Sequence, residues 1–199
     1  MTEARSREQP ALTTPRLTLR PFVPDDAFDV ERLAGAREIA DTTLNIPHPY
    51  PHGGAAQWIA LHGPAWIDCT GVTFAIVANE TGKLVGAVGL TIKREFARGE
   101  LGYWIAKAQW GRGYATEASE AILDFGFRTL GLHRIQAHHL VRNPASGRVM
   151  QKLGMRQEGI ERDAVIKWGR HESIVLYSIL EPEWRESRGR DRPAKSPTY

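Results

Sequence analysis

Between a strand that ends near Ala106 and a helix that begins near Gly113, the chain reads Gln109-Trp-Gly-Arg-Gly-Tyr-Ala-Thr-Glu117. This turn limits the fold more than any other stretch. Its glycines admit backbone conformations closed to other residues and let a ligand come close to the main chain. The first amides of the helix behind them have no acceptor inside the helix, and the dipole favours negative charge there. Such a turn suits a phosphate or pyrophosphate; it equally suits a bare glycine turn ahead of an amphipathic helix. The Gly-Lys-Ser/Thr ending of a Walker loop and the third glycine of a dinucleotide fingerprint are both missing. The helix, from about Gly113 to Leu130, carries Glu117, Glu120, Asp124 and Arg128 on one face and Ala118, Ile122 and Phe125 on the other.

The flanking pattern is that of a mixed sheet. Arg16-Leu-Thr-Leu-Arg20 alternates as a strand, and Pro24 with Asp25 and Asp26 opens a helix whose apolar stripe is Val30, Leu33 and Ala34. Prolines 47, 49 and 51 exclude regular structure from Asn45 to His52. A second helical stretch runs from about Gly54 to Cys69, broken at Pro64. Val72–Asn79, Lys83–Lys93 and Gly99–Ala106 read as an antiparallel meander, with a turn at Gly82. After the long helix come a strand (Arg134–Val141), a short helix (Pro144–Leu153) and two strands near Met155–Trp168 and His171–Leu180. The order β-α-α-β-β-β-α-β-α-β-β is α+β or mixed α/β, without the regular alternation of a Rossmann fold. It predicts a single domain over 14–182, a disordered arm over 1–13 and a basic, disordered tail over 183–199.

Charge narrows the partners. The 199 residues hold 26 Lys and Arg against 23 Asp and Glu. Five of the basic and two of the acidic residues follow Trp184, which leaves 21 of each sign before it. A body without net charge argues against direct nucleic-acid binding by the domain. The single cysteine, Cys69, forms no internal disulfide, makes a thiolate zinc site implausible and fits a cytoplasmic protein. The longest uncharged stretch, Thr42–Ile67, is broken by four prolines and does not suit a bilayer, so no membrane partner is expected.

Trp110-Gly-Arg-Gly113-Tyr-Ala115 resembles the phosphate loop of the Gcn5-related N-acetyltransferases (GNATs), on the branch typified by the RimJ and RimL ribosomal-protein acetyltransferases. The loop's first position holds Trp110 where the general pattern has Arg or Gln. Further segments resemble the same branch: Thr14-Pro-Arg-Leu-Thr-Leu-Arg20, Glu100-Leu-Gly-Tyr-Trp-Ile105, Asn143-Pro-Ala-Ser-Gly-Arg-Val-Met-Gln-Lys-Leu-Gly154 and Leu176-Tyr-Ser-Ile179. The likeness covers about residues 14–182. It implies a mostly antiparallel sheet of about seven strands, splayed between the fourth and fifth and flanked by about four helices. It also implies acetyl-CoA as donor, a primary amine as acceptor (a protein N-terminus or a small molecule) and a monomer or homodimer. No pair of residues has metal-ligand spacing with supporting context, so no metal is expected.

By the same resemblance, Gly111, Arg112, Gly113, Tyr114, Ala115 and Thr116 hold the CoA pyrophosphate. Trp104 and Ile105 offer main-chain groups to the pantetheine and the thioester oxygen. Asn143 is a good helix cap by type, and the resemblance implies that it contacts CoA. Ser146 is the candidate acid for the departing thiolate, against an ordinary first-turn serine. Glu100 is the candidate base, with His138 or His139 as the alternative; adjacent in a strand, these two histidines face opposite ways. Asn45, His48 and Tyr50 are expected on the acceptor side, or else in a rigid surface loop. Two other readings stay open: a non-catalytic acyl-CoA sensor of this fold, and a ribosome- or RNA-associated protein acting through its basic tail.

Overall fold

The computed structural model describes residues 8–190. They are organised by an eight-stranded sheet in the order β1-β2-β3-β4-β5-β6-β8-β7. β1 (Leu12–Thr13), β2 (Leu17–Arg20), β3 (Gly71–Ala78), β4 (Leu84–Lys93) and β5 (Arg98–Ile105) pair antiparallel in sequence. β6 (Arg134–Leu140), β8 (Arg170–Leu180) and β7 (Arg156–Lys167) form a second antiparallel group. The groups meet where β5 pairs parallel with β6, and only Arg98–Glu100 matches Arg134–Gln136. Beyond that point the two strands run on to Ile105 and Leu140 without a shared register, and the sheet splays. A parallel pair needs a crossover, and α5 (Tyr114–Arg128) supplies it.

Two cores cover the two faces. In the larger, Ala118, Ile122 and Phe125 of α5 pack on Phe74, Ile76, Leu90 and Ile135 of the sheet. Close approach requires Gly126: a Cβ there would lie 2.8 Å from Ile135 Cδ1 and 3.0 Å from Leu90 Cδ1. The smaller core joins Val30 and Ala34 of α1 (Ala27–Ala34), Ile39 of α2 (Arg37–Thr42) and Ala55 and Ile59 of α3 (Gly54–Ala60) to Ala75, Ala87 and Trp104. α4 (His62–Ile67), α6 (Pro144–Lys152) and α7 (Glu181–Arg190) complete the helices.

Several expectations are corrected. The stretch 54–69 is two helices that meet at Leu61, not a helix broken at Pro64. Pro64 sits in the first turn of α4, where an absent N–H leaves no bond unmade. The expected early helix is α1, and an unexpected short helix, α2, follows it after Gly35 and Ala36. Asp26 is more than a dipole partner: it is buried, and both its oxygens take bonds of 2.7 Å from Arg20. Residues 8–13 of the expected arm are ordered, since Leu12–Thr13 pair with Thr18–Leu19 and Gln9 donates to the Thr73 carbonyl at 2.9 Å. Residues 183–190 of the expected tail belong to α7, anchored by Trp184, which is 3% exposed against Phe127. Burial of that indole outweighs the polarity of the sequence around it. The remainder of both segments, 1–7 and 191–199, lies outside the described residues.

Candidate active site

The turn before α5 takes the shape its glycines allow. Gly111 (φ +76°) and Gly113 (φ +83°) are both left-handed, and a Cβ on Gly111 would meet nothing within 4 Å. The first backbone bond of α5 is donated by Glu117 to the Gly113 carbonyl at 3.1 Å. The amides of Tyr114, Ala115 and Thr116 precede it and have no acceptor within the helix. Contrary to its place on the expected solvent face, Glu117 is an anchor. It receives the Arg16 Nε at 2.6 Å, the Arg16 amide at 2.9 Å and the Thr14 hydroxyl at 2.7 Å. Arg16 also donates to the Arg112 carbonyl at 2.9 Å and lies over the Tyr114 ring.

The second feature is the edge of β5 left open by the splay. The Ala106 amide bonds the Val85 carbonyl at 2.8 Å, so Trp104, opposite Ala87, spends its peptide groups on β4. By the alternation of a strand, Tyr103 and Ile105 turn theirs toward the gap. Of the expected pair, Ile105 therefore faces the gap and Trp104 does not; the Trp104 side chain belongs to the smaller core. The Ile105 carbonyl is already taken by the indole N–H of Trp110 at 2.7 Å. The unexpected Trp110 thus ties the phosphate-loop candidate to the strand end.

On one face of the splay, Glu100 Oε1 lies 3.3 Å from His138 Nδ1, and Glu100 Oε2 accepts from Gln136 at 3.0 Å. The His138 bond holds the Glu100 carboxyl below its usual value, against burial, with help from Gln136 and Arg98. His139 faces the other way, buried under α6, where a Cβ on Gly147 would stand 2.7 Å from its Nε2. On that side Ser146 Oγ lies 2.7 Å from the Tyr103 hydroxyl. Asn143 caps α6, its Oδ1 accepting from the Ser146 amide at 3.3 Å and its Nδ2 donating to the Thr42 carbonyl at 3.4 Å. This is the cap that its residue type allows at the start of α6.

The loop from Thr43 to Pro51 is held from the far side of the sheet. Lys167, 6% exposed, donates to the Leu44 and Ile46 carbonyls at 3.1 Å each. Burial pushes its ammonium below the usual lysine value, with Asp41 opposing. Arg142 joins Asp41 of α2 to Glu172 of β8 at 2.9 and 2.8 Å. Within the loop, Asn45 is exposed, His48 Nδ1 meets the Gly35 carbonyl at 2.9 Å, and Tyr50 packs on the smaller core. Burial, with Glu31 adding to it, raises the Tyr50 phenol above its usual value. Among the described residues, no three His, Cys, Asp or Glu side chains gather to hold a metal ion, and no helix is long and apolar enough to cross a membrane.

The model of the acetyltransferase (GNAT) domain matches residues 16–156. The chain belongs to the GNAT acetyltransferase family. This GNAT is 30% identical to the uncharacterised N-acetyltransferase p20 of Bacillus licheniformis, over 87% of its own length and 97% of that protein. It is 26% identical to the ribosomal protein uS5-alanine N-acetyltransferase of Escherichia coli, over 89% and 94%. A solved probable acetyltransferase superposes with a TM-score of 0.79 at 26% identity, over 87% of this chain and 98% of that one. The protein is an acetyl-CoA-dependent N-acetyltransferase.

The residues present suit that donor. Open space over Gly111, helix amides without acceptors and a strand edge without a partner leave donors free for a pyrophosphate and an amide chain. Sequence reasoning missed three parts of this GNAT's site. Arg16 was noticed only as part of a strand motif, and Lys167 only as part of a strand. Tyr103 stands out in sequence only as part of the motif Glu100–Ile105. None has a local signal, because each acts on a partner from 43 to 123 residues away.

Proposed function

We propose that this GNAT acetylates a primary amine, a protein N-terminal α-amine or a small-molecule amine, by direct attack while both substrates are bound. The observation that carries the reading is the pairing of Glu100 with His138 on one face of the splay and the presence of Ser146 on the other. Acetyl-CoA supplies an activated acetyl carbonyl. The amides of residues 111–116 hold the pyrophosphate, and the open peptide groups of Tyr103 and the amide of Ile105 line the pantetheine. Glu100, ionised and joined to His138, takes the proton that the ammonium must lose before its nitrogen can attack. Ser146 donates to the departing sulfur. The loop holding Asn45, His48 and Tyr50, with Lys167 behind it, forms the acceptor side. The acceptor in the name of the Escherichia coli relative, an alanine of ribosomal protein uS5, makes α-amines the first class to try. A soluble, cytoplasmic enzyme fits the single unpaired Cys69.

The test is release of CoA thiol over a set of amines: peptides beginning with Ala or Ser, free amino acids, and polyamines. With the best acceptor, Glu100→Gln lowers kcat by about 10²- to 10⁴-fold while acetyl-CoA still binds. Full activity of Glu100→Gln would remove Glu100 as base. No turnover with any amine, despite tight acetyl-CoA binding, would favour the sensor.

A further inference from the structure

Tyr103 stands beside the splay with its peptide groups toward the gap and its hydroxyl against α6. That hydroxyl lies 2.7 Å from Ser146 Oγ and 3.3 Å from the Ser146 carbonyl oxygen. We infer that Tyr103 is a positioning residue: it donates a hydrogen bond to Ser146 Oγ and so turns the serine proton toward the sulfur of CoA. The inference rests on Ser146 being the acid.

A serine hydroxyl has one proton and two lone pairs. If Ser146 gave that proton to Tyr103, none would remain for the sulfur. The phenol has one proton and two acceptors in reach, Ser146 Oγ at 2.7 Å and the Ser146 carbonyl at 3.3 Å; given to the nearer Oγ, it leaves the serine proton free and fills one of the two lone pairs. The phenol suits the giving role, because a phenol is the stronger acid of the two hydroxyls and the Oγ contact, at 2.7 Å, is its shortest; burial, which pushes it up to about 12, keeps it protonated. Both partners are fixed. Tyr103 is in register with Val88 of β4, and the Ser146 amide is capped by Asn143. On the same face His139 lies under Gly147 of α6 with the Tyr177 ring 5.8 Å from it, and Glu100 with His138 lies on the opposite face of β5.

As the carbon–sulfur bond breaks, its electron pair moves to sulfur and the Ser146 proton moves toward it. The charge that grows on Oγ is met by the Tyr103 O–H, a bond that strengthens as its acceptor becomes negative. The second proton that the nitrogen sheds as the amide forms returns to Ser146 through water, and the proton on Glu100 leaves to solvent.

CoA itself reports on this without any acceptor, because its thiolate absorbs in the ultraviolet and its titration can be followed while bound. A donor aimed at sulfur lowers the thiol pKa. Ser146→Ala should raise the pKa of bound CoA by about one unit or more. Tyr103→Phe should raise it in the same direction by less, and Ser146→Ala with Tyr103→Phe should match Ser146→Ala alone. In turnover, Tyr103→Phe should lower kcat and leave the KM for acetyl-CoA unchanged. Circular dichroism and CoA affinity establish that each variant is folded and loaded. A shift for Ser146→Ala but none for Tyr103→Phe overturns the inference and leaves Ser146 as acid. Additive shifts also overturn it, since Tyr103 would then act independently of Ser146. No shift for Ser146→Ala, with CoA bound as in the wild type, overturns the reading of Ser146 and this inference with it.

Discussion

Gly111→Ala separates a phosphate cradle from a plain turn, because the structure supplies its own control. Gly111 (φ +76°) and Gly82 (φ +65°) are both left-handed, and a Cβ on either would meet nothing within 4 Å. Gly82 lies in the turn between β3 and β4, away from the splay. Alanine at either position costs only the left-handed backbone, about 1–2 kcal/mol. In a domain of this size that lowers Tm by about 2–8 °C. The two variants should therefore melt alike. Their acetyl-CoA affinities should not. At Gly111, relaxing the strain turns loop amides away from the pyrophosphate, and one bond to a charged acceptor is worth about 1.5–3 kcal/mol. That is about ten- to hundredfold in Kd. Calorimetric titration with acetyl-CoA and a thermal melt give both numbers. If Gly111→Ala binds acetyl-CoA as well as Gly82→Ala does, the loop is not the cradle.

Trp184→Ala should cost about 3–5 kcal/mol, read by chemical denaturation, because it empties a buried aromatic site against Phe127 and Asp124. Lys167→Met should raise the KM of the acceptor and leave that of acetyl-CoA unchanged, since it frees only the Leu44 and Ile46 carbonyls. Glu158, bonded by Arg134 and Ser178, is held at about 2. A lowered carboxyl stabilises the fold fully above its ordinary value and loses that contribution as pH falls through about 2. Glu158→Gln should thus destabilise by about 0.2–1 kcal/mol at neutral pH, the range for a solvent-screened pair, and by nothing near pH 2. Melts across that range check the sign.

What the sequence made legible was local. The amphipathic period of α5, the meander of β3 to β5 and the glycine turn each lie within a few residues of their own signal. The short strands and the helix breaks were less legible. Leu12–Thr13 is strand only because β2 lies beside it, and Leu61 carries no breaker, so neither departs from its neighbours in composition. Trp184 illustrates the same limit: a lone indole among charged residues reads as a tail until Phe127 and Asp124 are brought to it. At the site, residue types were found more readily than directions. Trp104 and Ile105 are neighbours, yet only the register with β4 shows which of them turns its peptide groups to the gap.

The anchoring of the glycine turn explains why Thr14-Pro-Arg16 and Gly113-Tyr-Ala-Thr-Glu117 occur in one chain. A turn with two left-handed glycines has little stiffness of its own, and a cradle works only if its amides are held before the anion arrives. Holding them by their N–H groups would consume the donors. Arg16 instead takes the Arg112 carbonyl at 2.9 Å, and Glu117 pins Arg16 in turn. In a trans peptide the N–H points opposite to the C=O. The grip on Arg112 therefore aims the Gly113 amide away from β2, toward the open side of the turn. The strand motif stiffens the cradle through the one class of backbone group that the ligand does not need.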